Sequence, residues 1–592
     1  MPYRMPYLAW VLLALCVALP ASADRLDTLK SDHPRLLVHA DDFARIAELV
    51  KTDALAKRWH AELKKDAREL IDEPTARYEL RDGRRLLYVS REVLDRVVTL
   101  GMLHRIEPDQ TYLDRIWQDL EAAAGFDHWN PAHFLDVAEM GFAFALAYDW
   151  LYDEWSDEQR ATLRDAMVRH AIKPALRAYD KNVWWTRTAI NWNQVCNGGL
   201  ICAALAVADH EPKLANQMLD RSINALPKSM KRYAPDGGYD EGPGYWAFGT
   251  VYNVFAIAAL ESALGKDFGL GDLPGFSATG NFPIHMTGPT GIVYNFGDGS
   301  EKTYTSPAMF YLADRYEQPY YTAFAAERTR VSAFNLLWYD PSHLKHRFEP
   351  LTLGAVFHAA DVASMRSGWD DDALFVAAKG GWIGYGHSQM DLGSFIFESQ
   401  GVRWLIDLGK DGYNVPGYFE SQQDGRRWDF YRNRAEGHNT LVIGPQRKFG
   451  DQDYDAKAKI ELKDSSIRID LSKAYPGSVK RTIELEKEDK RVRVIDEIVL
   501  ETSSQVWSFF HTRAAVTIAD DGRSATLKQD GKTLRAVLVA PAGSRFELMD
   551  AKPLPGSPVV QGQDANEGIR KLAIHQKGVT GRRVEVVFEN AE

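Results

Sequence analysis

The spacing of apolar residues changes period near residue 350. From Asp24 to about Asp340 the spacing is helical. Asp41 to Val50 places two acids in a first turn and apolar residues at helical intervals behind them. Val93, Leu94, Val97, Val98 and Leu100 predict a helix over Glu92–Ile106, with Ser90 as its cap. His133–Leu151 is largely apolar, as a helix buried on several sides would be. Ser156-Asp157-Glu158-Gln159 predicts a capped, amphipathic run to Leu176. Further helices are expected over Asn193–Asp209, Glu211–Ala225, Tyr245–Leu264 and Pro307–Ala326. Helix pairs on short loops suggest a curved array or an incomplete α/α toroid.

Beyond the change of period the chain reads as strands. Ser466–Leu471 alternates polar and apolar residues, and Ser524–Leu527 does so over a shorter span. Val492–Val499 and Arg583–Phe588 are rich in β-branched residues. Asp520-Asp521-Gly522 and Asp530-Gly531 have hairpin-turn chemistry. These features predict an antiparallel β-sandwich from about Val356 onward. The polar, proline-bearing stretch Tyr339–Pro350 suits the seam. The expected division is 1–23, 24–345 and 346–592.

Residues 1–23 have the form of a cleavable export signal. Arg4 precedes the uncharged apolar run Leu8–Leu19, and Ala21-Ser22-Ala23 stands before Asp24. The run is short for a membrane span, so no span is expected after cleavage. A periplasmic or secreted address follows. Cleavage would also remove Cys16, leaving Cys196 and Cys202 as buried thiols that point in different directions on one helix. The chain of 592 residues is 45% hydrophobic and 26% charged, which describes a globular protein. Its 71 basic against 82 acidic residues give a net charge of −11, which argues against a nucleic-acid partner. The 16 Trp, 25 Tyr and 26 Phe would suit a sugar-binding cleft, or equally a large core.

Four segments carry candidate chemistry. In Ile190–Gly199, residues Asn191, Asn193, Gln194 and Asn197 crowd the start of an apolar helix, where Asn is a poor interior residue. They read either as a cap with satisfied buried amides or as neutral donors gripping a carboxylate or sugar hydroxyls. In Pro235–Gly249 a Gly/Pro loop carrying Tyr239, Asp240 and Glu241 feeds a helix start with Tyr245. The third segment runs Gly386–Phe395, followed by Leu405–Gly409, and the fourth is Arg434–Thr440. Their His and Asp residues could ligate a metal or form a hydrogen-bond network at a sheet edge. Phosphate-loop, serine-hydrolase, zincin and dinucleotide fingerprints are absent from the sequence.

Taken together, these segments and the His33-Pro34-Arg35-Leu36-Leu37 opening resemble the heparinase II/III-like polysaccharide lyases. The resemblance implies an N-terminal (α/α) toroid, an incomplete barrel, followed by a C-terminal antiparallel β-sandwich with the cleft between them. It implies β-elimination on an anionic uronate polysaccharide or oligosaccharide of glycosaminoglycan, alginate or glucuronan type. Residue by residue, Asn191 matches the carboxylate-neutralising position, with Asn193 as alternate. Tyr245 matches the catalytic tyrosine, with Tyr239 as fallback, and His387 matches the sandwich-domain histidine. Trp192 stands where some members have a His. Gln194 and Glu241 join Asn193 and Tyr239 as expected substrate contacts. Arg432 and Arg434 are the leading candidates among nearby arginines (Arg187, Arg426 and Arg427 being the others) for pairing with carboxylate or sulfate.

The chemistry itself needs no cofactor. In members with a sandwich-domain metal the ligands would fall on Gln389, Asp407 and His438. Gln389 replaces a His there, and a neutral amide oxygen is a poorer zinc ligand than imidazole. The expectation is therefore either no metal or a structural divalent ion in the β-sandwich, zinc or the harder calcium. Two other readings use the same residues: a uronyl C5-epimerase, and a carbohydrate-binding protein without chemistry.

Overall fold

Helices fill the chain up to Lys345 and strands dominate from Gly354 onward. The structure, a computed structural model, describes residues 24–302, 305–346, 350–384, 386–444 and 452–591. The expected signal segment lies outside the described residues.

Four long helices stand side by side as an inner row: Leu87–Ile106, Leu135–Trp150, Asn191–Val207 and Pro243–Leu264. Gln110–Ala124, Asp157–Met167 and Pro212–Ala225 alternate with them and pack outside. The inner helices are apolar nearly all round because both flanks are covered; all of Leu135–Trp150 is buried. Gly198 and Gly199 permit the closest packing. A Cβ at Gly198 would lie 2.5 Å from the Tyr252 carbonyl oxygen, and one at Gly199 would lie 2.4 Å from that of Ala138. The short helices Ala308–Arg315, Tyr320–Arg328 and Ala333–Trp338 fill the remaining arc, so the long-helix ring is incomplete. Pro243–Leu264 is long and apolar enough to cross a membrane, but it is a core helix of this array.

Local details differ from the sequence expectation. Ser90 lies inside the helix Leu87–Ile106, its hydroxyl donating to the Asp136 carbonyl at 2.9 Å. Pro319 breaks the expected Pro307–Ala326 helix into two. The run to Leu176 passes through a π-turn over Val168–Ile172. The Ser156–Gln159 capping box forms.

The strands make two antiparallel sheets. The smaller contains Gly354–Phe357, Val362–Arg366, Phe375–Lys379, Phe395–Ser399 and Val402–Leu405, in that spatial order. The larger has 11 strands among the described residues and is centred on Arg491–Thr512 paired with Arg570–Asn590. Asp530 and Gly531 close a two-residue hairpin with φ of 50° and 74°. The smaller sheet is the middle layer. Its Val376, Phe395 and Phe397 face the larger sheet, while Phe375, Ala377 and Ile396 join the helical core. That double burial explains why four of its strands are buried along their whole length rather than alternating. Cys196 and Cys202 are free and buried.

Candidate functional site

Asn191 is the first residue of its helix, and no side chain at Ile190 caps it. Glu241, 50 residues away, supplies the acceptor: its carboxylate takes the Asn191 backbone N–H at 3.1 Å and the side-chain Nδ2 at 2.8 Å. An anion at a helix N-terminus is favoured by the unpaired amides there. The Tyr239 hydroxyl donates to Gln194 Oε1 at 2.6 Å and lies 3.1 Å from Glu241 Oε1, and Gln194 Nε2 donates to the Tyr233 hydroxyl at 2.8 Å. The second amide hydrogen of Asn191 has no partner in this network and Asn191 lines the cleft. Just after Glu241, Gly242 turns the chain at φ 89°, and Pro243 opens the next helix. Tyr245 therefore sits in a first turn, facing the sandwich.

His387 comes from the other half. Its backbone is left-handed, with φ 63°, a conformation a non-glycine residue holds only where its surroundings fix it. The Asp298 backbone N–H donates to the His387 carbonyl at 3.0 Å, and His387 Nδ1 lies 3.0 Å from Asp298 Oδ2. Asp298 also accepts from Arg427 at 2.7 Å, Tyr418 at 2.6 Å and Gln389 Nε2 at 3.1 Å. The rings of His387 and Tyr245 stack with centroids 4.2 Å apart. The Tyr245 hydroxyl is 3.4 Å from His387 Nδ1 and hydrogen-bonds the Tyr413 hydroxyl, which lies 3.3 Å from Asp298. With the Nδ1 proton directed at Asp298, His387 keeps a lone pair on Nε2, and that nitrogen lies 3.8 Å from Glu241.

Burial sets the direction of the phenol acidities. It raises Tyr245 well above the usual phenol value, and the Asp298 and Glu241 carboxylates add to the effect. Tyr413 is raised the same way, by burial and then by Asp298. Burial also opposes ionisation of Asp298, but Arg427 and His387 outweigh it and hold the acid well below the carboxylate range. At neutral pH the site thus pairs un-ionised phenols with an ionised carboxylate.

Asn191, Tyr245, His387 and Tyr413 line one cavity of about 1350 Å³ between the helices and the sandwich. Pockets for a single small molecule are typically about 300–1,000 Å³, so the space suits a chain of linked rings. Tyr88, Trp184 and Phe419 stand exposed along it, offering flat apolar faces.

Other expected contacts lie elsewhere. Asn193, Gln194, Tyr239 and Glu241 are buried behind the cleft wall and absent from its lining. Asn193 Oδ1 accepts from Ser229 at 2.9 Å, so the amide cluster is largely a buried brace with Asn191 as its one open member. Arg434 is fully buried and donates to Glu436 and the Trp428 carbonyl, both at 3.3 Å. Arg432 binds Asn566 at 2.8 Å, Asp564 at 2.9 Å and the Lys410 carbonyl at 2.8 Å. Neither arginine lines the cleft. Both sit in a run of 3-10 turns, where sequence proximity to His438 does not set side-chain direction.

The proposed metal ligands are buried together near the same sheet edge. Asp407 is engaged by His438 Nδ1 at 3.0 Å and the Gly409 N–H at 2.8 Å, and Gln389 spends its amide nitrogen on Asp298 and the Gly409 carbonyl. Two of their buried atoms have no partner, Oε1 of Gln389 and Nε2 of His438. Among the described residues no group of three or more His, Cys, Asp or Glu could hold a metal ion. With the Asp407 carboxylate, already bonded to Gly409 and His438, the set offers three donors of mixed type where a closed zinc site has four.

Asp298 and Tyr413 were not singled out from the sequence. Asn295-Phe296-Gly297-Asp298-Gly299 is a polar, glycine-bearing break between helices, and that is the one signal it offered.

The sequence of residues 350–567 matches the family described as heparinase II/III-like, C-terminal. This region is a heparinase II/III-like domain. It contributes His387 and Tyr413 to the cleft. No curated protein matches the chain. Among solved structures, heparan sulfate lyase HepC from Pedobacter heparinus, as a mutant, is similar at 14% identity and TM-score 0.58, covering 96% of this chain and 93% of its own. The heparinase III-BT4657 gene product is similar at 14% identity and TM-score 0.56, covering 92% of this chain and 85% of its own. Both likenesses extend the shared architecture across the helical region, so the heparinase II/III-like domain and its helical partner follow one known fold.

Proposed function

We propose that the protein is an exported polysaccharide lyase that cleaves a uronate polymer or its oligosaccharides by β-elimination. The observation that carries this reading is the meeting of Tyr245, Tyr413 and His387 hydroxyl and imidazole groups beside the open amide of Asn191 in one inter-domain cleft. Asn191 donates to the uronate carboxylate and stabilises the charge that develops there when the C5 proton leaves. His387, oriented by Asp298, accepts that proton on Nε2. The C5–H electron pair forms the C4=C5 double bond, the C4–O4 bond breaks, and Tyr245 gives its proton to O4. Its raised pKa keeps Tyr245 protonated at neutral pH, as a proton donor must be.

Acid and base stand on one wall, stacked on each other. That arrangement favours uronates in which H5 and O4 share a ring face, as in 4-linked glucuronate and mannuronate. The apolar run after Arg4 supports export to a periplasm or beyond. The test is ultraviolet absorbance of the unsaturated product on glucuronan, heparan sulfate, hyaluronan, chondroitin and alginate. An increase on at least one, lost in Tyr245→Phe, is expected. Exchange of the C5 proton with solvent without chain cleavage would replace the lyase by an epimerase.

A further inference from the structure

Two arginines expected to grip the substrate are committed elsewhere, and the cations that do face the cleft are others. Lys410 follows the left-handed Gly409 in the sandwich half, and its Nζ stands 3.8 Å from the centroid of the Tyr413 ring. That is the ring whose hydroxyl bonds Tyr245. Arg84 comes from the helical half and lines the same cavity beside Tyr413. Among the described residues, neither side chain has a carboxylate partner. Asp82, the acid nearest Arg84 in sequence, is occupied by the Arg85 guanidinium and by the backbone N–H groups of Arg84 and Arg85 at 3.0 and 2.8 Å.

The lysine is also held in place. Arg432 donates to the Lys410 carbonyl at 2.8 Å, and Asp411 accepts the Gly412 and Asp564 N–H groups at 2.8 and 3.0 Å. A cation fixed by its backbone, resting on a phenol face and lacking a counter-charge is pre-organised for an anionic ligand. Burial lowers the Lys410 pKa, with Arg85 adding to the effect and Asp298 opposing it. A bound anion would relieve that penalty.

We infer that Lys410 and Arg84 form an anion subsite next to Tyr245, holding a carboxylate or sulfate on the sugar adjacent to the cleaved linkage. This inference rests on the lyase reading and names the charge the cleft recognises beyond the uronate at Asn191. Lys410 and Arg84 bind substrate and take no part in proton transfer.

The experiment uses the mature protein with Lys410→Met and Arg84→Met, which keep the aliphatic packing and remove the charge. Steady-state rates are measured on unsulfated glucuronan and on heparan sulfate oligosaccharides, and binding of both is measured by calorimetry. Each variant should raise KM about three- to fivefold, with a smaller change in kcat and a gap that closes at high salt. Lys410→Arg should restore most of the KM. A penalty on both substrates identifies a carboxylate, and one confined to heparan sulfate identifies a sulfate. Unchanged KM and affinity on both substrates overturn the subsite. If the wild type turns over neither, nor any other uronate polymer, the lyase reading fails instead. The calorimetric difference between wild type and variants then decides the subsite alone.

Discussion

The two walls of the cleft hold their working residues by different means. On the helical wall, Asn191 is braced by one carboxylate, Glu241, backed by a chain of neutral donors and acceptors through Tyr239, Gln194 and Tyr233. On the sandwich wall, His387 is braced by Asp298, itself locked to the buried Arg427. The first arrangement suits a group that only donates and never changes charge. The second suits a group that must gain and lose a proton, because a fixed ion pair keeps its orienting carboxylate ionised throughout. Neutral bracing supports the electrostatic role and charged bracing supports the titrating one.

The comparison can be broken at several points. Tyr245→Phe removes the proposed proton donor between the walls and should lower turnover about 10²–10⁴-fold while the melting temperature holds, read by product absorbance and thermal unfolding. Asp298→Asn leaves Arg427 buried without its counter-charge and should remove about 3–5 kcal/mol of stability, measured by denaturant unfolding. Glu241→Gln preserves the shape of the helical brace and should cost less, about 1–3 kcal/mol, with a higher KM for the uronate. Equal losses for these two variants would erase the distinction between the walls.

Acid titration sharpens the same point. Asp298 is held below its unfolded value of about 3.9, so its stabilising contribution is complete above that pH and is lost as pH falls through the lowered folded value. Asp298→Asn should flatten that acid limb of the melting curve relative to wild type. Smallest of all, chelator treatment should leave turnover unchanged, because the proposed proton transfers are assigned to side chains, and a fall in melting temperature would reveal an ion held by the buried, unpartnered Oε1 of Gln389 and Nε2 of His438.

Periodicity and turn chemistry made the helical and sandwich halves readable, down to the capping box at Ser156 and the Asp530-Gly531 hairpin. Asn191 stood out as one of several amides crowding the start of an apolar helix, whereas Tyr245 and His387 were assigned through the resemblance of their segments to the heparinase II/III-like lyases. Their supports did not. Asp298 lies in an irregular connection with no period to mark it, and its partner Arg427 is 129 residues away. Arg432 and Arg434 misled for the opposite reason: they are close to the site in sequence, yet short 3-10 turns aim them into the sandwich. Distance along the chain carries no information about facing once the backbone leaves a regular repeat.

The middle sheet, shared by both cores, restricts how this protein can breathe. Residues such as Phe375 and Ile396 are sealed into the helical array while their strand neighbours Val376 and Phe397 are sealed into the opposite layer. Swinging the halves apart would strip oily surface from a wall common to both. Any widening of the cleft for the proposed polymer would therefore fall to the segments that line its mouth together, Asp82 and Arg84 on one bank and Tyr413–Glu420 on the other.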